Sequence, residues 1–223
     1  MVGQMRIIEN LLPTVYPDSR YGYRLPIGTM DVVDNFPYKA LRDYYETWYR
    51  PDLQGIMVVG DVDVDRIEAK IKELFSGIKM PENAKKREYF EVNDHKGTIY
   101  AIGSDKEQPN SIMQVMYKYP AFPDSLKNNM AYLGYMYAFN IATKMMNARL
   151  SEISKKADAK FAYAGMSSGD FFIAKTKNAL TFTALAKDND VKGAYEAINT
   201  EIARLKKYGF LDSEYLRARD EYM

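Results

Sequence analysis

With 223 residues, 47% of them hydrophobic, the chain has material for one large or two small domains with a sizeable core. Thirty-one basic residues against thirty acidic ones leave a net charge of +1, a balance that points to neither nucleic acid nor an anionic membrane as a partner. The absence of cysteine excludes disulfides, thiolate nucleophiles and cysteine-ligated zinc or iron–sulfur sites, and leaves both cytoplasm and periplasm open.

In chain order, the stretch MVGQMRIIENLLPTVYPDSRYGYRLPIG lacks the basic start, long apolar run and small-residue cleavage site of a secretory signal. Pro13, Pro17, Gly22, Pro26 and Gly28 make residues 1–36 read as a path across a surface more than as core. From Pro37 a helix follows, with Leu41, Tyr44, Tyr45, Trp48 and Tyr49 on one broad face, and Pro51 ends it at Arg50. Such a stripe reads as packing. The run from Gly55 to Gly60 is too short for a membrane span and is bounded by turn formers, so it predicts a buried strand. Asp61, Asp63 and Asp65 suit the cap and first turn of a covering helix, in which Ile67, Ile71, Leu74 and Phe75 recur at helical spacing.

Residues 79–93 carry a proline, an asparagine and a basic run, and make the best linker. Beyond them, 97–104 and 110–120 alternate apolar and polar residues as half-buried strands do. Residues 124–156 have the length and spacing of one long helix, with Asp124 or Ser125 as its cap. Residues 159–188 read as a hairpin or meander, and helices at 190–208 and 212–222 close the segment around Gly209. The order predicts an α+β fold of mixed or antiparallel sheets covered by helices. No glycine or proline ends the last helical pattern, so the chain reads as a piece of a longer protein.

Little here carries chemistry. His95 is the single histidine and sits in a predicted turn, so every zinc motif that needs two histidines is excluded, HExxH and HxxEH included. The series Asp61, Asp63, Asp65 opens like a calcium loop, but the sixth position is Arg66 and the twelfth Lys72, where glycine and glutamate are required. Ser167, Ser168 and Gly169 form no GxSxG elbow, have no histidine after them, and read as a turn. The basic runs at 82–88 and 155–160 lack interleaved aromatics and read as solvated surface. No catalytic residue and no metal ligand is assigned.

Residues 23–78 nevertheless resemble the insulinase/pitrilysin family of zinc peptidases, through Leu25-Pro-Ile-Gly28, Tyr49-Arg50-Pro51-Asp52, Val58-Val59-Gly60-Asp61 and the helix end at Phe75. The resemblance continues through 104–118, 145–156, 160–165 and 201–222. It implies the inactive peptidase domain downstream of the metal site, in a two-halved clamshell of repeated α/β units around a closed chamber. Zinc is then expected in the parent protein, held by HxxEH and a distant glutamate upstream of Met1, so neither Glu46 nor Glu68 inherits a ligand role. Family members also hold substrate with an arginine and a tyrosine one or two turns later. Arg149 resembles that arginine and is the one substrate-binding candidate; Lys155 and Lys156 stand where the tyrosine is expected, and the nearest tyrosine is Tyr163. The plainer expectation is a surface arginine paired with Glu152 at the next turn.

The resulting division is 1–78, the end of a first α/β unit; 79–93, a linker; and 94–223, a second, noncatalytic unit. The expected role is the chamber wall and substrate-contact surface of a zinc metalloendopeptidase, inactive alone, whose partners are a peptide or unfolded protein and the other domains of its own chain. A structural core-type subunit and a free-standing peptide-binding module are the alternatives. No membrane span is expected.

Overall fold

The computed structural model describes residues 3–222. In chain order they form α1 (Gly3–Val15), α2 (Met30–Asn35), α3 (Tyr38–Trp48), α4 (Val64–Phe75), β1 (Ile112–Pro120), α5 (Met130–Ser154), β2 (Phe161–Asp170), β3 (Lys177–Ala186), α6 (Val191–Tyr208) and α7 (Asp212–Tyr222). Helices with an antiparallel three-stranded sheet make an α+β fold. The chain divides into a larger unit, Met1–Leu25 with Tyr89–Met223, and a smaller one, Pro26–Glu88.

In the larger unit β3 is central, in the order β1-β3-β2. The pairing runs from Ile112 opposite Leu185 to Pro120 opposite Lys177 on one side, and from Ala164 opposite Ala184 to Asp170 opposite Asn178 on the other. Since side chains alternate across a strand, Phe182, Ala184 and Ala186 share one face with Met113, Ala164 and Met166. That face receives Met146 and Leu150 of α5 and Ala194, Ile198 and Ile202 of α6, all buried. Each such Leu or Ile is worth about 1.5–3 kcal/mol relative to exposure. Asn129 caps α5 by accepting from the Tyr132 amide; the expected caps, Asp124 and Ser125, lie in a separate short 3-10 turn. Gly209 ends α6 at φ +68, a left-handed conformation open to glycine at little cost.

Residues 1–25 depart from the sequence expectation. Rather than crossing a surface, residues 3–15 form the amphipathic helix α1, whose Leu12, with Tyr16 just beyond it, is almost fully buried against Val92, Phe171, Ala174 and Ala179. Pro13 is accommodated near the end of α1. The Tyr16 hydroxyl donates to the Phe171 carbonyl, and burial pushes its pKa up to about 12. Arg6 anchors the same helix to Asp105 through Nε–Oδ2 and Nη2–Oδ1 contacts of 2.7 Å each. Residues 1–25 therefore group with the unit that begins at 89, not with 26–78 as the sequence division has it, because their apolar face is buried there.

The smaller unit contains α2, α3 and α4 and no strand. Asp63 caps α4 by accepting from the Arg66 amide, as expected, and Asp65 lies in its first turn. Residues 55–60 carry no ladder, and Met57 and Val59 are each 88% exposed; the buried strand expected there is not formed among the described residues. Nor is the one expected at 97–104, where Tyr100 and Ile102 face solvent. Both runs have strand composition but no neighbouring strand to satisfy their backbone. The α3 stripe is likewise open, with Leu41, Tyr44 and Tyr45 exposed and Tyr45 stacked on Tyr49 at 4.8 Å. Arg50 organises this unit: its guanidinium is 5% exposed, donates to the Lys85 carbonyl at 2.6 Å, and sets Nε 2.8 Å from Asp52.

Candidate functional site

A single turn of α5 carries the side chains of most interest. Leu150 enters the core, Asn147 reaches β2, and Arg149 turns toward α6 and α7. Arg149 is only 16% exposed and its donors are heavily committed. Nε and one Nη bond the two carboxylate oxygens of Glu214 at 2.5 and 2.6 Å, the same Nη reaches the Gly209 carbonyl at 2.9 Å, and the other lies 3.3 Å from Glu201. Its flat face covers the Phe210 ring at 4.8 Å. Hydrogen bonding to Glu214 raises the pKa of the arginine, and the same bond holds the Glu214 carboxyl below its ordinary range. The local pairing with Glu152 is not made; Glu152 lies 4.0 Å from Arg217 instead. Glu201 and Glu214 stand 52 and 65 positions away, beyond the reach of a helical-spacing argument.

The other candidates are scattered. His95 is exposed in irregular backbone, not in a turn. Ser167, Ser168 and Gly169 lie on β2, not in a turn, with the Ser168 hydroxyl against that of Tyr119. Tyr163 is exposed on the same strand, its hydroxyl over Gly165. Lys155 follows the end of α5. Glu46 is an exposed residue of α3, and Glu68 pairs with Lys72 along α4. Among the described residues no three His, Asp or Glu side chains gather as a metal would require, so the donors present do not fit a zinc centre. A shallow depression lined by Arg20, Tyr21, Arg24 and Phe90 is occupied in part by Arg20 stacked 4.5 Å over Phe90.

What the larger unit offers is backbone. The Ser111 carbonyl accepts from the Ala186 amide and the Ala121 amide donates to the Thr176 carbonyl, a register that turns the peptide groups of Ile112, Gln114, Met116 and Lys118 away from β3. The Phe171 amide bonds the Lys177 carbonyl, so the peptide groups of Ala164, Met166 and Ser168 point away from β3 on the opposite side. Sequence alternation locates these strands; it does not say which is central.

The Peptidase M16 inactive domain profile matches residues 35–222. The probable zinc proteases PqqL of Haemophilus influenzae and Escherichia coli are each 26% identical to this chain, over 88% and 91% of its length; it spans 21% of either relative. The crystal structure of the first half of the periplasmic protease PqqL from Escherichia coli superposes with a TM-score of 0.78 at 26% identity, over 95% of this chain and 44% of that one. A mutant of the ferredoxin protease FusC, in complex with Arabidopsis ferredoxin, shares the fold with a TM-score of 0.78 at 22% identity, over 99% of this chain and 24% of that one. With most of its length matched and the same fold in these structures, the chain belongs to the Peptidase M16 inactive domain family.

Proposed function

We propose that this chain is the noncatalytic segment of a zinc metalloendopeptidase, forming chamber wall and substrate-contact surface while the metal and its general base reside elsewhere in the parent protein. The observation that carries the reading is the match to the inactive domain over 35–222, in a chain whose described residues gather no donor set that fits zinc. When bound in the parent, zinc would polarise a scissile carbonyl and activate water; the residues present here would bind and orient. An extended peptide adding to a sheet edge gains main-chain hydrogen bonds with broad sequence tolerance, and the outward peptide groups of β1 suit that role. The exposed apolar residues of Pro26–Glu88, Leu41, Tyr44, Tyr45 and Met57 among them, would then be covered by other domains of the same chain.

The test compares the complete protein with this segment. The complete protein should cleave a fluorogenic peptide in a chelator-sensitive manner, and the 223-residue chain should bind that peptide without cutting it. Cleavage by the segment, or a complete protein that binds peptide but never cleaves it under zinc, would overturn the proposal; the second result would favour a structural subunit.

A further inference from the structure

Arg6, Arg50 and Arg149 are each committed to a carboxylate of the chain itself. Arg20 and Arg24 are not. Both are exposed, and among the described residues neither has a carboxylate within ion-pairing distance, although Asp18 and Glu91 lie near them or near Phe90 in sequence. With Tyr21 and Phe90 they line the shallow depression of the larger unit. Both aromatic residues are held by the turn between β2 and β3. The Tyr21 hydroxyl accepts from the Lys175 amide at 3.1 Å, and the Phe90 carbonyl accepts from the Thr176 hydroxyl at 3.0 Å. The Tyr21 ring also lies 5.6 Å from that of the buried Tyr16. The Arg20 guanidinium sits over the Phe90 ring at 4.5 Å. A guanidinium carries its N–H donors in its own plane, so one whose face covers a ring keeps its edge for hydrogen bonding. Among the described residues no side-chain donor of Arg20 or Arg24 is engaged by another group.

We propose that this depression binds the C-terminal residue of a peptide that ends in a large apolar side chain: Arg20 and Arg24 take the carboxylate, and Tyr21 and Phe90 receive the side chain. Such a residue carries its charge and its apolar group on one Cα, so cations that border two rings meet both at once. An acidic residue inside a peptide has the charge without the apolar body, and an apolar residue inside a peptide has the body without the charge. Two like charges at one depression repel, and a carboxylate relieves that repulsion while accepting charge-assisted hydrogen bonds. The inference deepens the reading of the chain as part of an endopeptidase and rests on it for the source of the ligand. Hydrolysis of an internal peptide bond adds one water and leaves a new carboxylate on one fragment and a new amine on the other. The site itself stands on the two arginines and the two fixed rings.

Fluorescence anisotropy on the 223-residue chain tests the site, with the N-terminally labelled peptide Gly-Gly-Ala-Phe as probe. The free acid should bind, and its C-terminal amide should bind at least ten-fold more weakly. Gly-Gly-Ala-Ser, which keeps the carboxylate and loses the ring, should also fall at least ten-fold. Arg20→Gln and Arg24→Gln should each weaken the free acid at least ten-fold, whereas Lys192→Gln, which removes an exposed charge on α6, should leave it unchanged. Added salt should weaken the acid and leave the amide as it was. Equal binding of acid and amide, equal binding of the Phe and Ser peptides, loss in Lys192→Gln as large as in the two arginine variants, or no binding by the wild-type chain overturns the proposal. The acid, amide and serine comparisons all use the wild-type chain, so they decide the matter even where an arginine variant fails to fold. Peptidase activity is read separately, as cleavage by the complete protein, so failure of that reading and failure of this site are distinct results.

Discussion

Replacing Arg149 by methionine keeps much of the side-chain volume and removes the charge. It leaves Glu201, whose side chain is 4% exposed, with Arg204 at 3.5 Å as its remaining cation, and strips Glu214 of both bidentate bonds. Breaking a buried pair by removing one partner costs about 3–5 kcal/mol, because a charge is left behind in low dielectric. At a urea m-value of roughly 2–3 kcal/mol per molar, that is a midpoint shift of about 1–2 M. Far-UV circular dichroism follows the helices, and the single tryptophan, Trp48, reports separately on the smaller unit. The pH dependence supplies an independent check. Hydrogen bonding to Arg149 depresses the Glu214 carboxyl below 4.5, so its stabilisation is complete above that pH and is lost as the pH falls through the depressed value. The gap between wild type and Arg149→Met should therefore narrow on acidification. Arg149→Lys should recover only part of the loss, since an ammonium cannot form the two-pronged contact. A destabilisation under about 1 kcal/mol, below the range for even one charge-assisted bond, would refute the structural account. If the complete protein instead showed raised KM with unchanged stability, Arg149 would belong to substrate contact.

Three further substitutions probe other parts of the larger unit. Leu150→Ala, at a fully buried position, should cost about 2–5 kcal/mol in the same denaturation assay. Gly22→Ala would place a methyl group 2.6 Å from the Tyr16 carbonyl oxygen and should destabilise by about 1–3 kcal/mol through forced backbone movement, whereas Gly165→Ala meets only the movable end of Tyr163 and should be tolerated. Arg6→Gln should return the Asp105 carboxyl from about 2 toward 3.8 in an NMR titration, because the Arg6 hydrogen bonds are what hold it down, and should make the 103–108 loop more sensitive to protease.

The parts of the fold that were legible are those whose signal is local. The α5 stripe, β1, the β2–β3 hairpin, and α6 and α7 around Gly209 follow from periodicity, though α5 begins at Met130 under the Asn129 cap, six residues after the expected start at 124. Residues 3–15 are helical despite Pro13 and the following Pro17, because Ile8, Leu11, Leu12 and Val15 keep helical spacing and a proline near the end of a helix is far less disruptive than one at its centre. At 55–60 and 97–104 composition favoured strands, but a strand exists only with a partner, and none pairs with them among the described residues. Family resemblance singles out Arg149, but its partners come from two helices far along the chain and not from Glu152 at the next turn. Asn147 gave no signal at all: nothing in a helix sequence reveals that a carboxamide will meet an outward peptide group of a strand.

Two arginines, Arg50 buried and Arg149 half-buried, lead to one conclusion about how this family segment is built. Arg50, in the Tyr49-Arg50-Pro51-Asp52 motif, ties the end of α3 to residue 85 and to Asp52; Arg149 ties α5 to α6, α7 and the Gly209 turn. Each joins segments that apolar burial alone would leave free to slide, since hydrophobic contact is non-directional and a guanidinium fork is not. A substrate carboxylate seeking Arg149 would have to displace Glu214 from a bidentate contact that is largely dry, losing as much as it gained. The neighbouring Asn147, two places before Arg149 on the same helix, is likewise committed, its carboxamide bonded to both the amide and the carbonyl of Met166, so this turn of α5 is tied to β2 as well as to α6 and α7.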